Sequence, residues 1–304
     1  MIVADLSPHA LRRRLAEDGL HLRTGPVSTR IRSALPDVAN GIALHYAHHP
    51  VLADDTFADF HIGIERPRGL RRWWRPQVVF RFDGDAPFAP LPGDQGFPML
   101  EWGMNWCVSA HCHQYLIVHA AVLARGEHAL VMPAPSGSGK STLCAGLVWG
   151  GGWRLMSDEL ALFDAGSGAL SALARPVSLK NESIDVIARF APQVRIGQVV
   201  RETQKGTVTH LPPPPQAVAQ TDRPARARWI LLPRFEAGAA TRLTRLSRGA
   251  AFMRLVDSAF NYHVHGSRGF DRLADVVEAA DCYEFVYSDL QDAVNRLGAL
   301  DEPA

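Results

Sequence analysis

The segment Ala134-Pro-Ser-Gly-Ser-Gly-Lys-Ser141 carries glycines, a lysine and a following hydroxyl in the order of a Walker-A phosphate-binding loop. Backbone N–H groups of such a loop point inward around phosphate oxygens, and the helix behind it adds the partial positive charge of its N-terminus. Gly137 and Gly139, alternating with Ser136 and Ser138, would permit the close backbone approach. Lys140 would reach the β- and γ-phosphates, Ser141 would give Mg²⁺ a hydroxyl ligand, and Thr142 would lie near the α-phosphate. Ala134 stands where the motif usually opens with glycine. Seventeen residues beyond Ser141, Leu155-Met-Ser-Asp-Glu159 ends a short apolar run in two acids. A carboxylate so placed can hold Mg²⁺, directly or through water, or take the proton of an attacking hydroxyl.

Lysine usage singles out the same segment. The 32 basic residues are 29 arginines and three lysines, Lys140, Lys180 and Lys205, and the first 139 residues contain no lysine. Arginine does not substitute for a compact ammonium inside a phosphate cradle. That argument selects Lys140; for Lys180 and Lys205, chance and function remain open.

The surrounding elements give the loop its setting. Leu116–Leu123 and Ala129–Met132 are apolar strands joined across Arg125-Gly126, followed by the loop and a helix to about Trp149. A strand at Trp153–Ser157, a hairpin at Asp164–Gly168, strands at Trp229–Leu232, Thr241–Leu246 and Tyr283–Tyr287, and helices from Ser247, Gly269 and Ser288 complete an α/β segment. Lys205 to Arg228, with Pro212–Pro215, reads as an exposed loop. Earlier in the chain, Ser7-Pro8 starts a helix that Gly19 stops, and Phe60–Ile64 and Val78–Phe82 read as strands. Asp85–Pro98 reads as a loop and Met99–Tyr115 as a helix. The expected division is a smaller α+β domain over 1–112, without a strong chemical motif, and a phosphate-loop domain over 113–304.

Composition narrows the class. A net charge of +1 argues against a protein built mainly to coat nucleic acid or an anionic membrane. No apolar run approaches the roughly 18 residues of a membrane span. Four cysteines in 304 residues make no disulfide framework. The expectation is a cytoplasmic protein with reduced thiols, bound to neither membrane nor nucleic acid.

His119 on the preceding strand, the Ser-Gly-x-Gly-Lys-Ser loop and the acidic pair resemble HPr kinase/phosphorylase over about residues 116–180. Over nearly the whole chain the sequence resembles the HprK-related kinase A group. The matching segments are Leu100-Glu-Trp-Gly-Met-Asn-Trp106, Val118-His-Ala-Ala121, the phosphate loop, Ser157-Asp-Glu159, Arg175-Pro-Val-Ser-Leu-Lys180 and Lys205-Gly206. The resemblance implies a phosphoenolpyruvate-carboxykinase/HPr-kinase-like nucleotide-binding core, ATP with Mg²⁺, and phosphoryl transfer to a hydroxyl. Asp158 matches the proposed base toward the acceptor serine, and Glu159 the second acid, a metal ligand with Ser141. His119 matches the strand histidine near that pair. The Glu-Ile-Arg-Gly-Leu-Gly signature of HPr kinase has no counterpart here, where the chain reads Pro176-Val-Ser-Leu-Lys-Asn181. Phosphorylase activity and HPr recognition are therefore not carried over. Lys180 and Lys205 are candidate phosphate or acceptor contacts. The leading acceptor is a serine in a protein or peptide; a metabolite hydroxyl and a non-catalytic, ATP-gated binding protein are the alternatives. HPr kinases form homo-oligomers, but no residue pattern transfers that property.

Three further clusters read as structural. Cys107, His111, Cys112 and His113 fit no common zinc spacing, and His263 and His265 precede Gly266 on a strand or loop. Trp73-Trp74 among Arg68, Arg71, Arg72 and Arg75 reads as a packed edge.

Overall fold

A computed structural model describes residues 1–300 as a mixed α/β protein. Its N-terminal part is a five-stranded sheet in the order Leu20–Thr24, Val27–Ser33, Phe60–Glu65, Gln77–Phe82, Leu91–Pro92. Only the Val27–Ser33 and Phe60–Glu65 pairing is parallel. Helices Pro8–Ala16, Pro36–His45 and Gly96–His111 pack on it through Leu11, Leu15, Val38, Ile42, Leu100 and Met104. Ser7 caps the first helix by accepting from the Ala10 N–H, as Ser-Pro predicts.

The expected apolar strands become the middle of an eight-stranded sheet. Tyr115–Arg125 and His128–Pro133 pair antiparallel, and Arg226–Phe235 then runs parallel to His128–Pro133. Asp281–Tyr287 follows, parallel again. Both faces are covered, which explains the unbroken apolar runs. Ala121, Leu123, Leu130 and Met132 face helices Lys140–Trp149 and Leu290–Gly298. Ala120, Val122, Ala129 and Val131 face helices Arg248–Asp257 and Ser267–Ala279. The N-terminal core continues past residue 112 into Ile117, Leu160, Leu162 and Leu173.

Four expectations are corrected. The segment read as an exposed loop after Lys205 contains strand Gly206–Leu211, which pairs with Val177–Lys180 and Val200–Thr203. Its Thr209 and His210 are buried polar residues, so the strand lacks an apolar signature; Thr209 satisfies its hydroxyl on the Gly197 carbonyl. The helix read from Met99 starts at Gly96, because Pro98 sits in the first turn, where a missing N–H costs nothing. The last helix is capped by Asp289, which accepts from the Asp292 N–H, while Ser288 donates to the Ala239 carbonyl. The tryptophan pair is not a packed edge: Trp73 is 74% and Trp74 66% exposed.

Three buried histidines lie where the N-terminal helices meet the rest of the chain. The His45 ring stacks on Phe97 at 4.8 Å, with His210 edge-on to the same ring. His49 Nε2–H donates to the Ala174 carbonyl at 2.8 Å. Burial pulls His45 and His49 down to about 4 and His210 to about 3. Unfolded histidines bind protons near 6.5, so between those values the unfolded chain holds more protons and acid favours unfolding. Asp158 and Glu101, raised by burial, work in the opposite direction. His119, also pulled down to about 4, adds to the histidine side, and the net expectation is a loss of stability as pH falls from about 6 to 4. Urea midpoints measured at pH 7, 6 and 5 test this, and a flat series contradicts it.

Candidate active site

The loop after strand His128–Pro133 turns through Gly137 (φ 89°) and Gly139 (φ 88°) before helix Lys140–Trp149 begins. Both values lie in the left-handed region that favours glycine. A Cβ at Gly139 would also collide with the Tyr287 hydroxyl, which donates to the Gly139 carbonyl at 2.9 Å. The Phe235 N–H donates to the Ser138 carbonyl at 2.9 Å. The loop is thus anchored by the two strands beyond it. Ala134 is buried and does not take a positive φ, so alanine fits where the motif usually has glycine. Gly139→Ala is expected to cost about 1–3 kcal/mol through φ strain and the lost Tyr287 contact. A thermal melt lowered by several degrees is the expected readout; an unchanged melt contradicts it.

The two acids sit at an irregularity in strand pairing. Tyr115–Arg125 pairs with Arg154–Ser157 along one half and Leu160–Asp164 along the other, with a register shift at Val122/Leu123. Asp158 and Glu159 occupy the break between those partners, where Ser157 Oγ accepts the Leu160 N–H.

Asp158 is buried, with one carboxylate oxygen accepting the Ser178 N–H at 3.1 Å and Oδ1 unpartnered. Burial first, and the adjacent Glu159 second, push its carboxyl up to about 6. Lys140, the Ser178 N–H and the Ser141 hydroxyl pull the other way. The Lys140 ammonium is buried without a hydrogen-bond partner, and the nearby Ser138 hydroxyl is likewise unsatisfied. Burial lowers the pKa of Lys140, while Asp158 and Glu159 favour its charge. Unpaired buried polar atoms are costly, and a phosphate at the loop would satisfy the Lys140 ammonium and the Ser138 hydroxyl.

Glu159 collects the remaining cations. Burial would raise its carboxyl, but Lys205, Lys180, Lys140 and His119 overcome that and hold it below the ordinary value. All three lysines of the chain therefore act on one carboxylate. Lys180 ends strand Val177–Lys180, and Lys205 lies at the turn between Val200–Thr203 and Gly206–Leu211, with its ammonium 5.0 Å from the Trp102 ring centre. His119 sits half-buried on the neighbouring strand, pulled down to about 4 by burial and then by Lys140. Ser136 and Gly137 are exposed at the loop, and Ser141 and Thr142 are partly exposed at the helix start.

A search of protein-family models and of curated proteins finds no match.

The N-terminal part contributes side chains that the sequence reading did not assign. Helix Gly96–His111 brings Asn105 to Glu159 (Nδ2–H to Oε2, 3.2 Å). Arg175 donates to Asn105 at 2.8 Å, to the Glu101 carboxylate at 2.8 Å and to the Tyr46 hydroxyl at 3.2 Å. Tyr46 in turn donates to Glu101 at 2.6 Å. Glu101 and Asn105, four apart, share a helix face, and an acid inside so apolar a helix is the available sequence signal.

The clusters read as structural sit elsewhere. Cys107 and Cys112 belong to the hydrophobic core, with burial pushing their thiols up to about 12 and about 11. His111 stacks on Phe82 at 4.9 Å. His263 and His265 lie on the short helix Tyr262–His265 rather than on a strand or loop; His265 Nε2 is 3.0 Å from the Tyr115 carbonyl, and His263 is exposed. Among the described residues no group of three or more His, Cys, Asp or Glu is arranged to hold a metal ion, and no helix is long and apolar enough to cross a membrane.

Proposed function

We propose that this protein is an ATP-dependent kinase that transfers the γ-phosphoryl group to a hydroxyl, foremost a serine of a protein or peptide. Its core is read as phosphoenolpyruvate-carboxykinase/HPr-kinase-like. The observation that carries the reading is the unpartnered Lys140 ammonium beside Asp158 and Glu159, the second of which every lysine of the chain acts on. Backbone N–H groups of residues 136–140 bind phosphate oxygens, and Lys140 neutralises charge developing on the transferred group. Ser141 with Glu159 would hold Mg²⁺, which supplies charge neutralisation at the phosphates. Asp158 Oδ1 takes the proton of the acceptor hydroxyl, and a carboxyl that titrates near 6 suits a base working close to neutrality. Asn105 orients Glu159, and Lys180 and Lys205 extend the positive rim.

The test combines γ-labelled ATP, Mg²⁺, the purified protein and a fractionated lysate of its source. Label in an acid-precipitable band supports a protein kinase and identifies the substrate. Label in the small-molecule fraction moves the acceptor to a metabolite. Free phosphate alone, or ATP binding without transfer, removes the kinase reading in favour of an ATP-gated binding protein.

A further inference from the structure

The connection between strands Phe60–Glu65 and Gln77–Phe82 carries charge and apolar surface together. It contains five arginines (Arg66, Arg68, Arg71, Arg72, Arg75), and no acid occurs between Glu65 and Asp83. The rest of the chain, set against a total of +1, is net negative, so the overall charge that argued against membrane binding conceals a local basic patch. Within this excursion Leu70 is 80%, Trp73 74% and Trp74 66% exposed. The segment is nonetheless folded: the Trp73 and Trp74 N–H groups both donate to the Leu70 carbonyl, and Gly69 takes φ 89°. At its base Arg81 pairs with Glu65 at 2.7 Å.

We propose that this turn docks the protein peripherally on an anionic lipid bilayer, with Leu70, Trp73 and Trp74 entering the interface and the arginines meeting the headgroups. Tryptophan with a flanking cation suits that boundary, because its ring is apolar while its N–H stays among polar groups. Each basic side chain near such a surface strengthens partition roughly fivefold. The alternative of stacked nucleic-acid bases is less suited to the geometry. Arg72 already lies 5.3 Å from the Trp73 ring centre, and Arg71 and Arg75 lie 5.8 Å and 5.3 Å from that of Trp74. A base would have to displace those guanidinium groups, whereas a headgroup phosphate can pair with them in place. The charge is also confined to one excursion, which suits a plane better than a strand tracked along a groove.

The full-length protein is mixed with vesicles of phosphatidylcholine alone and with an equimolar phosphatidylcholine–phosphatidylglycerol mixture, and pelleted. Binding to the anionic vesicles only, weakened by salt, is the expected result. Trp73→Ser/Trp74→Ser and Arg71→Glu/Arg72→Glu should each lower partition at least about tenfold while leaving the thermal melt unchanged, since these side chains are exposed. Equal binding to both vesicles, full binding by either double variant, or a preference for single-stranded oligonucleotide over vesicles overturns the proposal.

Discussion

Asp158→Asn is expected to lower phosphoryl transfer by about two to four orders of magnitude, the usual contribution of a positioned base. The substitution keeps the side chain's size and removes only its ability to take a proton. Lys140, Ser138 and the loop amides are untouched, so ATP affinity should change by less than about threefold. The pH profile gives a second readout. A base must be ionised to work, and Asp158 is raised to about 6 by burial and then by Glu159. Turnover in the wild type should therefore rise with pH and reach half its plateau near 6. Asp158→Asn should lose that limb together with the rate. Unchanged turnover in the variant would remove Asp158 from the role of base, and ATP binding without transfer in the wild type would favour the binding-protein reading.

The largest stability effect is expected at Arg175. Its guanidinium is 2.8 Å from the Glu101 carboxylate, and the two side chains are only 6% and 4% exposed. Arg175→Met leaves the buried Glu101 carboxyl without its counter-charge, with the Tyr46 hydroxyl still donating to it. Removing one member of such a pair costs about 3–5 kcal/mol. The melt should fall by roughly 10 °C. Replacing both partners removes the stranded charge, so Arg175→Met/Glu101→Leu should recover much of that loss. A double variant no more stable than the single one would show that the pair matters through packing. Asn105 loses its orienting bond to Arg175 in either variant, so turnover should stay depressed even where stability returns.

The glycine-rich loop, its flanking strands and its helix were legible because each is a local pattern: alternation, a glycine pair and one lysine. The acidic pair was legible by its distance from the loop. The buried tie through Tyr46, Glu101, Asn105 and Arg175 was not, since its members come from distant segments and no spacing rule joins Tyr46 to Arg175. Strand Gly206–Leu211 escaped for a different reason. Its buried positions include Thr209 and His210, whose burial depends on partners supplied elsewhere in the fold. Lys180 and Lys205 are an intermediate case. Lysine scarcity flagged them, but only the three-stranded sheet that carries both brings them to Glu159.

That scarcity gives the molecule a native reporter. Its side-chain amines, three in all, act on one carboxylate beside the glycine-rich loop, in a chain whose other basic side chains besides histidine are guanidinium groups. Amine-directed acylation can therefore label this region with little background from the remaining surface. Protection by a nucleotide or an acceptor would then be read lysine by lysine, from a single peptide map.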